Sequence, residues 1–366
     1  MSWPQDDLGP ARVVFLRLIE GVDAVVVLDN VVLGPAIGGV RMTRRADLPA
    51  TEVARLARAM TLKNAAAGLP HGGGKSGIAV HTDLDSDGRE RVMRAFALAI
   101  KDLVDYIPGP DMGTDETSMA VVHDEIGRCV GLPAVLGGIP LDELGATGYG
   151  VAVCADALED AKVLTLAGAT VVVQGFGAVG SHAALRLRER GAIVVAVSDI
   201  EGATYAPDGL DVAELLEFKR SGQPVGGFPG GVRVPRDDIL TLACDIIVPA
   251  AQPDVFTAAT ARRTRAKVIL QGANIPASPE AEAEFHRMGI LSVPDIIANA
   301  GGVICASVEY RGGARTQAFQ QIEEKIRANT AELLDRMKGS DLLPREAATQ
   351  MAMARLRRGA AYRRRL

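Results

Sequence analysis

Lys63 lies inside a stretch with helical periodicity, and Lys75 follows twelve residues later at the end of Gly72-Gly73-Gly74-Lys75. Two cations so spaced suit convergence on one small anionic substrate. Val53, Leu56, Ala57, Met60, Asn64 and Ala67 repeat at helical spacing, with Thr51 as N-cap, Glu52 in the first turn, and Gly68 then Pro70 as the stop. Lys63 falls at the rim of that stripe, where its stem can lie on the core while its ammonium reaches a cleft; full burial without a partner would depress its pKa. The glycines before Lys75 predict a loop that uses positive φ and lets backbone approach a ligand closely. The same residues also suit a snorkelling lysine beside a flexible surface loop. A phosphate-binding P-loop ending in Gly74-Lys75-Ser76 is excluded by register, because it needs glycine where Leu69 stands and a strand where the pattern is helical.

A second constellation begins after the β-branched run Ala169 to Gln174. Gly175-Phe176-Gly177-Ala178-Val179-Gly180 opens a helical segment to Arg190, and a second apolar run, Ile193 to Ser198, ends in Asp199. This is a dinucleotide fingerprint in its strand, turn, helix, strand, acid setting. Gly175 permits the tight turn, Gly177 admits the pyrophosphate to the backbone, and Gly180 lets helix pack on strand. The helix N-terminus, with Ala178 and Val179, offers free N–H groups to the phosphates. Asp199, nineteen residues after Gly180, is placed to accept from ribose hydroxyls. Ile200, Glu201 and Gly202 put no cation in sequence beside it, which favours NAD over NADP. The alternative is a purely structural βα turn.

The elements that must hold these residues divide into two regions. A chain of 366 residues suits two domains, and 48% hydrophobic with 23% charged residues is ordinary for a soluble globular protein. A net charge of −5 gives no reason to expect nucleic-acid binding. The basic run Arg355, Arg357, Arg358, Arg363, Arg364 reads as a solvated helix end. Cys129, Cys154, Cys244 and Cys305 form no metal-ligand pattern and fit free thiols in a reducing cytoplasm. MSWPQDDLGP has neither a basic nor an apolar leader region, and no stretch suits a membrane span. Strands are expected at Ala11–Leu18, Ala24–Leu28 and Ile37–Met42, and helices at Gly88–Tyr106 and Thr117–Val130. The Gly and Pro-rich stretch Gly131–Pro140 looks like the crossing into the second domain. Beyond it strands and helices alternate as in a parallel sheet, with strands at Asp245–Val248, Lys267–Leu270 and Leu291–Val293.

Taken together, these motifs resemble the glutamate, leucine, phenylalanine and valine dehydrogenases over most of the chain. Gly34-Pro35-Ala36-Ile37-Gly38-Gly39-Val40-Arg41-Met42 and Leu56 to Gly77 look most like leucine dehydrogenases. Asp111-Met112-Gly113-Thr114, Ala146-Thr147-Gly148-Tyr149-Gly150-Val151, Ser198 to Gly202 and Pro294 to Val303 look more like glutamate dehydrogenases. The resemblance implies an α/β chain of two domains with a cleft between them. Residues 1–138 would bind substrate and oligomerise, 139–320 would form the NAD-binding Rossmann domain, and 321–366 would be helices packing back toward the first. It implies that Lys63 binds the substrate α-carboxylate, that Lys75 is the catalytic lysine, and that Asp111 exchanges protons with the substrate amine. Lys75 would need a lowered pKa to activate water, which burial and Lys63 as a neighbouring cation would supply. Asp111 also suits a turn residue in Pro108-Gly109-Pro110-Asp111.

By the same resemblance Gly39 lies at the substrate, Thr147 contacts the nicotinamide amide, Asn274 lies near cofactor and substrate, and Asn299 precedes the Gly301-Gly302 turn; both asparagines also suit turn or cap positions. His71 receives no role. The glutamate enzymes carry a side-chain-binding lysine where Ile37 stands and a serine where Ala306 stands. An apolar L-amino acid is therefore the expected substrate, leucine or valine-like first and phenylalanine-like second, deaminated reversibly to the 2-oxo acid and ammonia by a cytoplasmic homo-oligomer. Glutamate is the runner-up, and a non-catalytic Rossmann binding or regulatory protein is the alternative of another class.

Overall fold

The first valine-rich runs pair as neighbouring strands β1 (Arg12–Arg17), β2 (Val22–Asn30) and β3 (Ala36–Thr43), joined by β4 (Gly72–Val80) and β5 (Tyr106–Pro110). In the computed structural model described here, covering residues 7–19, 21–44, 50–81 and 84–362, these five lie in the order β1-β2-β4-β3-β5. The first six residues of the N-terminal segment, and Arg363 and Arg364 of the basic run, lie outside the described residues. Strands β4, β3 and β5 run parallel, and β2 and β1 antiparallel to their neighbours.

Both faces of this sheet are covered, which is why β2 is apolar at successive positions rather than alternate ones. Ala24, Val26 and Leu28 join Val40, Met42 and Ile78 in a core completed by Phe96 of α2 (Ser86–Ala99) and Met119 of α3 (Glu116–Ile126). Val25 and Val27 pack with Val53 and Ala57 of α1 (Ala50–Ala66). Thr51, expected as the N-cap, lies inside α1, while Gly68 turns the chain beyond it at φ 63°.

Two local expectations are corrected. The glycine segment is strand β4, not a loop, and Gly72, Gly73 and Gly74 have no positive φ. Gly72 and Gly73 are small because other backbone lies against them: a Cβ at Gly73 would sit 2.1 Å from the amide nitrogen of Thr61 in α1, and one at Gly72 1.7 Å from the Asn30 carbonyl oxygen, while one at Gly74 would crowd the Tyr106 ring at 3.1 Å. Glycine here buys contact between helix and strand rather than a turn. The helix expected to run to Tyr106 stops at Ala99, and Tyr106 opens β5. Pro108 and Pro110 are tolerated there because β5 ends the sheet.

The second sheet has seven strands in the order β12-β11-β10-β6-β7-β8-β9. They are β6 (Thr170–Gln174), β7 (Ile193–Ser198), β8 (Ala203–Tyr205), β9 (Val232–Val234), β10 (Ile246–Pro249), β11 (Val268–Leu270) and β12 (Leu291–Val293). The helices in chain order are α4 (Ala146–Asp160), α5 (Ala178–Glu189), α6 (Val212–Arg220), α7 (Ala258–Arg263), α8 (Pro279–Arg287) and α9 (Asp295–Ala298). Five strands are parallel as expected, but β8 and β9 are antiparallel additions at one edge. The order changes direction at β6, the switch point where open α/β sheets bind ligands.

Three helices complete the chain: α10 (Gly301–Tyr310), α11 (Arg315–Met337) and α12 (Pro344–Ala360). One compact unit comprises Met1–Pro140, Val303–Ala318 and Met351–Leu366, and the other Leu141–Gly302 and Phe319–Gln350. Residues 303–318, read from sequence with the nucleotide-binding domain, thus fall in the first unit, and most of α11 in the second. Within the first unit the Glu309 carboxylate accepts from the amides of Gly131, Leu132 and Ile139, which ties the Gly and Pro-rich stretch to α10. Among the described residues no helix is long and apolar enough to cross a membrane, and no cluster suits a metal ion.

Candidate active site and nucleotide corner

Alternation along β3 builds the site. Ile37, Gly39 and Arg41 share one face, while Ala36, Val40 and Met42 point into the core behind. Pairing sets Ile37 beside Gly73 of β4 and Ile107 of β5, and Gly39 beside Gly109. With Val40 beside Ser76 and Pro110, Lys75 falls next to Gly39 and Asp111 next to Arg41. Lys75 and Asp111 therefore reach toward each other from the two outer strands across a residue with no side chain. Lys75 Nζ lies 2.5 Å from Asp111 Oδ2. A Cβ on Gly39 would come within 2.7 Å of Asp111 Cβ and 3.2 Å of Lys75 Nζ, so glycine is what leaves room for the pair.

Burial lowers the Lys75 ammonium below its ordinary range against the pull of Asp111, and the charge of Arg41 lowers it further. Burial alone would raise the Asp111 carboxyl, but Lys75 and Arg41 together hold it below the usual carboxylate range. Arg41 is a neighbouring cation acting on Lys75 that sequence reasoning, which named Lys63, did not single out. Arg41 Nε donates to Asp111 Oδ2 at 3.1 Å and its Nη1 to Glu52 Oε1 of α1 at 3.3 Å. Arg41 was missed although its signal was present, two residues beyond Gly39 on the same strand face. Thr114 Oγ1 accepts from the Asp111 amide and donates to the Val40 carbonyl, fixing the turn after β5. Lys63 is buried in the last turn of α1, the helix laid over β4.

Beside the ion pair the same face becomes apolar. Ile37 packs with Ile107, Val130 and Ala306 in one buried apolar cluster, and none of the four side chains offers a hydrogen-bond donor. Ile107 and Val130 were not singled out from sequence; Ile107 follows from its register opposite Ile37. His71 supports the rim: its Nδ1 lies 3.3 Å from the Pro35 carbonyl oxygen and its Nε2 3.0 Å from Ser307 Oγ, next to Ala306. Burial pushes its pKa down to about 4, so the ring is neutral.

In the second unit the glycine turn suits a pyrophosphate. Gly175 has φ 94°, and a Cβ at Gly180 would strike the Gly175 carbonyl oxygen at 1.8 Å. A Cβ at Gly177 would meet nothing within 4 Å, and no side chain caps α5 there, so the amides around Ala178 and Val179 are left to a ligand. Thr147 stands in the first turn of helix α4 rather than in a turn, and a Cβ on Gly302 would lie 2.8 Å from its Oγ1. Asn299 Nδ2 donates to the Gly272 carbonyl and to Asn274 Oδ1, each at 3.2 Å. Its own Oδ1 is buried with no partner among the described residues, an acceptor suited to an amide donor. Ile275, following Asn274, has φ 48°, a strained conformation for a β-branched residue.

Asp199 directly follows β7, which ends at Ser198, but its carboxylate is committed to the protein. Oδ1 accepts from the amides of Glu201 and Gly202, and Oδ2 from the Val225 amide and from Lys219 Nζ at 2.5 Å. That fills its acceptor sites. No cation neighbours Asp199 in sequence, but the fold brings them in: Lys219 arrives from α6, and Arg233 and Arg236 donate to the carbonyls of Glu201 and Ile200. A separation of 20 positions along the sequence hid the pairing.

Comparison with known proteins agrees with the α/β fold of these two units. Residues 137–364 match the family model described as Glutamate/Leucine/Phenylalanine/Valine dehydrogenase, and residues 15–128 match the Glu/Leu/Phe/Val dehydrogenase dimerisation domain. Glutamate dehydrogenase of Aeropyrum pernix is 39% identical over 350 residues, spanning 89% of this chain and 83% of that protein. The hetero-hexameric glutamate dehydrogenase of Thermus thermophilus, solved in a Leu-bound form, superposes with a TM-score of 0.87 at 31% identity, covering 98% of this chain and 91% of that one. L-tryptophan dehydrogenase of Nostoc punctiforme gives 0.75 at 26%, covering 97% and 98%.

Proposed function

Because the chain belongs to the Glu/Leu/Phe/Val dehydrogenase family of nicotinamide-dinucleotide-dependent oxidoreductases acting on CH–NH2 groups, we propose that its substrate is an apolar L-amino acid. Leucine or valine-like side chains come first and phenylalanine-like ones second. The apolar cluster Ile37, Ile107, Val130 and Ala306 beside the Lys75–Asp111 pair carries this reading. A glutamate carboxylate there would shed its water with no donor to replace it, at several kcal/mol, whereas a branched side chain gains roughly 25 cal/mol per Å² of area buried. Glutamate is the second reading, favoured by relatives named glutamate dehydrogenase at 39% and 43% identity.

In this reading Lys63 binds the α-carboxylate through a charge-assisted hydrogen bond. Asp111 takes a proton from the substrate ammonium so that the amine is neutral when Cα is oxidised. When bound, the nicotinamide dinucleotide supplies the hydride acceptor. Lys75, lowered toward its neutral form, draws a proton from the water that attacks the resulting substrate iminium, returns it to the amino nitrogen, and then takes the hydroxyl proton as the carbonyl forms and ammonia leaves. Gly175, Gly177, Ala178, Val179 and Gly180 hold the cofactor's phosphates, and Thr147, Asn274 and Asn299 its nicotinamide end.

NAD is the first assignment for the cofactor, from the negative charge of Asp199 just after β7, which the 2′-phosphate of NADP would face. The pairing of Asp199 with Lys219, with Arg233 and Arg236 on the same turn, supports a smaller penalty against NADP than a bare carboxylate would impose. A homo-oligomer built through the first unit is supported by the match to a dimerisation domain and by the hetero-hexameric relative. The deciding experiment is NADH production across a panel of L-amino acids, with Lys75→Ala as control. Leucine, valine or phenylalanine should exceed glutamate in kcat/KM by about 10² or more, and the variant should lose turnover by about 10². A wild type that prefers glutamate would overturn the substrate assignment.

A further inference from the structure

Arg41 has no part in the mechanism just given, yet it touches the same carboxylate oxygen as Lys75. Asp111 Oδ2 accepts from Lys75 Nζ at 2.5 Å and from Arg41 Nε at 3.1 Å, and Arg41 Nη1 is held in turn by Glu52 Oε1 at 3.3 Å. We propose that Arg41 is a positioning residue of the catalytic pair, holding the Asp111 carboxylate over Gly39 so that one oxygen is shared between an arginine and a lysine. The inference rests on the amino acid dehydrogenase reading of Lys75 and Asp111.

The chemistry requires such a third group. A buried lysine and aspartate in contact, with nothing else present, lock each other as ammonium and carboxylate, because deprotonating the lysine would strand an unpaired buried charge. A lysine so locked cannot serve as a base near neutral pH. With Arg41 in place, the Asp111 charge stays paired when Lys75 gives up its proton, and the guanidinium repels the Lys75 ammonium from no more than about 6 Å away. Arginine suits this position because it never titrates in the working range and because its fork serves two carboxylates at once. The register supplies the geometry: Gly39 and Arg41 are alternate residues on one face of β3, and Asp111 leaves β5 opposite Arg41.

The charged and titratable groups around Lys75 come from every neighbouring strand and from α1. Asp111 at the end of β5 and Arg41 on β3 touch the pair directly. Glu52, Lys63 and Arg58, which pairs with Asp29 of β2, belong to the helix packed on β4. The buried Tyr106 phenol on β5 accepts from Ser76 of β4 and donates to the Gly38 carbonyl, and burial pushes its pKa up.

The test is the pH dependence of kcat/KM in Arg41→Met, Arg41→Lys and Glu52→Gln, together with a titration of Lys75 in the full chain by trace acetylation and mass spectrometry, which needs no turnover. Arg41→Met should move the acid limb of the profile, and the Lys75 titration, upward by about one pH unit and lower kcat at neutral pH by about tenfold or more. Arg41→Lys should leave the limb near its wild-type place while lowering kcat. Glu52→Gln, which keeps the guanidinium but removes a negative neighbour, should move the limb downward, and serves where Arg41→Met does not fold. An unmoved limb and an unmoved Lys75 titration in Arg41→Met, or a limb in Glu52→Gln that moves up, would overturn the proposal. A wild type that oxidises no amino acid while Lys75 still titrates higher in Arg41→Met would instead refute the functional reading and leave the charge coupling standing.

Discussion

Replacing Gly39 by alanine tests whether the Lys75–Asp111 pair depends on an empty position between them. The new Cβ would lie 2.7 Å from Asp111 Cβ, 3.0 Å from the Pro110 carbonyl oxygen and 3.2 Å from Lys75 Nζ. Carbon atoms rest about 3.5–4.0 Å apart, so the start of the turn after β5 must retreat by close to 1 Å, since Asp111 Cβ and the Pro110 carbonyl belong to the main chain or its root. Two stability effects oppose each other. Overpacking of a tight site costs about 1–3 kcal/mol, while exchanging glycine for alanine in ordinary strand conformation returns about 0.4–1 kcal/mol through the unfolded chain. Net destabilisation is thus about 0–2.5 kcal/mol, small enough for the variant to remain folded. The catalytic loss is the larger effect, because a displacement of about 1 Å in a catalytic group costs on the order of 10² in rate. Steady-state kinetics with the best amino acid of the panel, beside urea unfolding, separate the two. A folded variant that keeps kcat within about threefold of wild type would refute the argument that the pair is set by the gap at Gly39.

Three further outcomes follow from the same geometry. Ile37→Lys with Ala306→Ser should raise kcat/KM for glutamate and lower it for leucine, narrowing the ratio by about 10² or more in a two-substrate competition; an unchanged ratio would place the side-chain pocket elsewhere. Lys219→Met should lower NADP efficiency relative to NAD by about tenfold or more, since it removes the cation that offsets Asp199; equal loss for both cofactors would show that Lys219 only braces the turn. His71 takes up a proton near its ordinary pKa of 6.5 in the unfolded chain but only at about 4 in the folded one, so stability falls as pH drops from 6.5 toward 4, by at most about 3 kcal/mol. His71→Gln should flatten that slope in urea unfolding measured at about pH 5 and about pH 7.5, and a slope unchanged by the substitution would assign it to other groups.

The nucleotide-binding half was legible because its signal is local. Strand, glycine turn and helix occupy neighbouring positions, and each glycine answers a demand of its own turn, as φ at Gly175 and the close carbonyl at Gly180 show. What surrounds Asp199 was not legible for the opposite reason. Lys219 lies on another helix and Val225 beyond it, so only tertiary structure brings a cation and a fourth donor to that carboxylate. The antiparallel β8 and β9 escaped because, unlike the apolar run at β11, each three-residue segment carries a polar or charged residue at its centre, and β9 is exposed at two of its three positions.

In the first unit the difficulty was the meaning of glycine. A run of three before a lysine reads as a loop when glycine is taken as a residue of conformational freedom, and β4 shows it used instead for the absence of a side chain. Seen that way, Gly73 and Gly39 play one part at two places: the first lets α1 reach the strand, the second lets Lys75 reach Asp111. Once β3 is taken as a strand, alternation alone puts Ile37, Gly39 and Arg41 on one surface, so that a side-chain pocket, a gap for an ion pair and a clamp on that pair follow one another at every second residue. Strand periodicity thus carried more of the site than the motif it sits in, since the motif pointed to Ile37 and Gly39 while only the alternation points to Arg41.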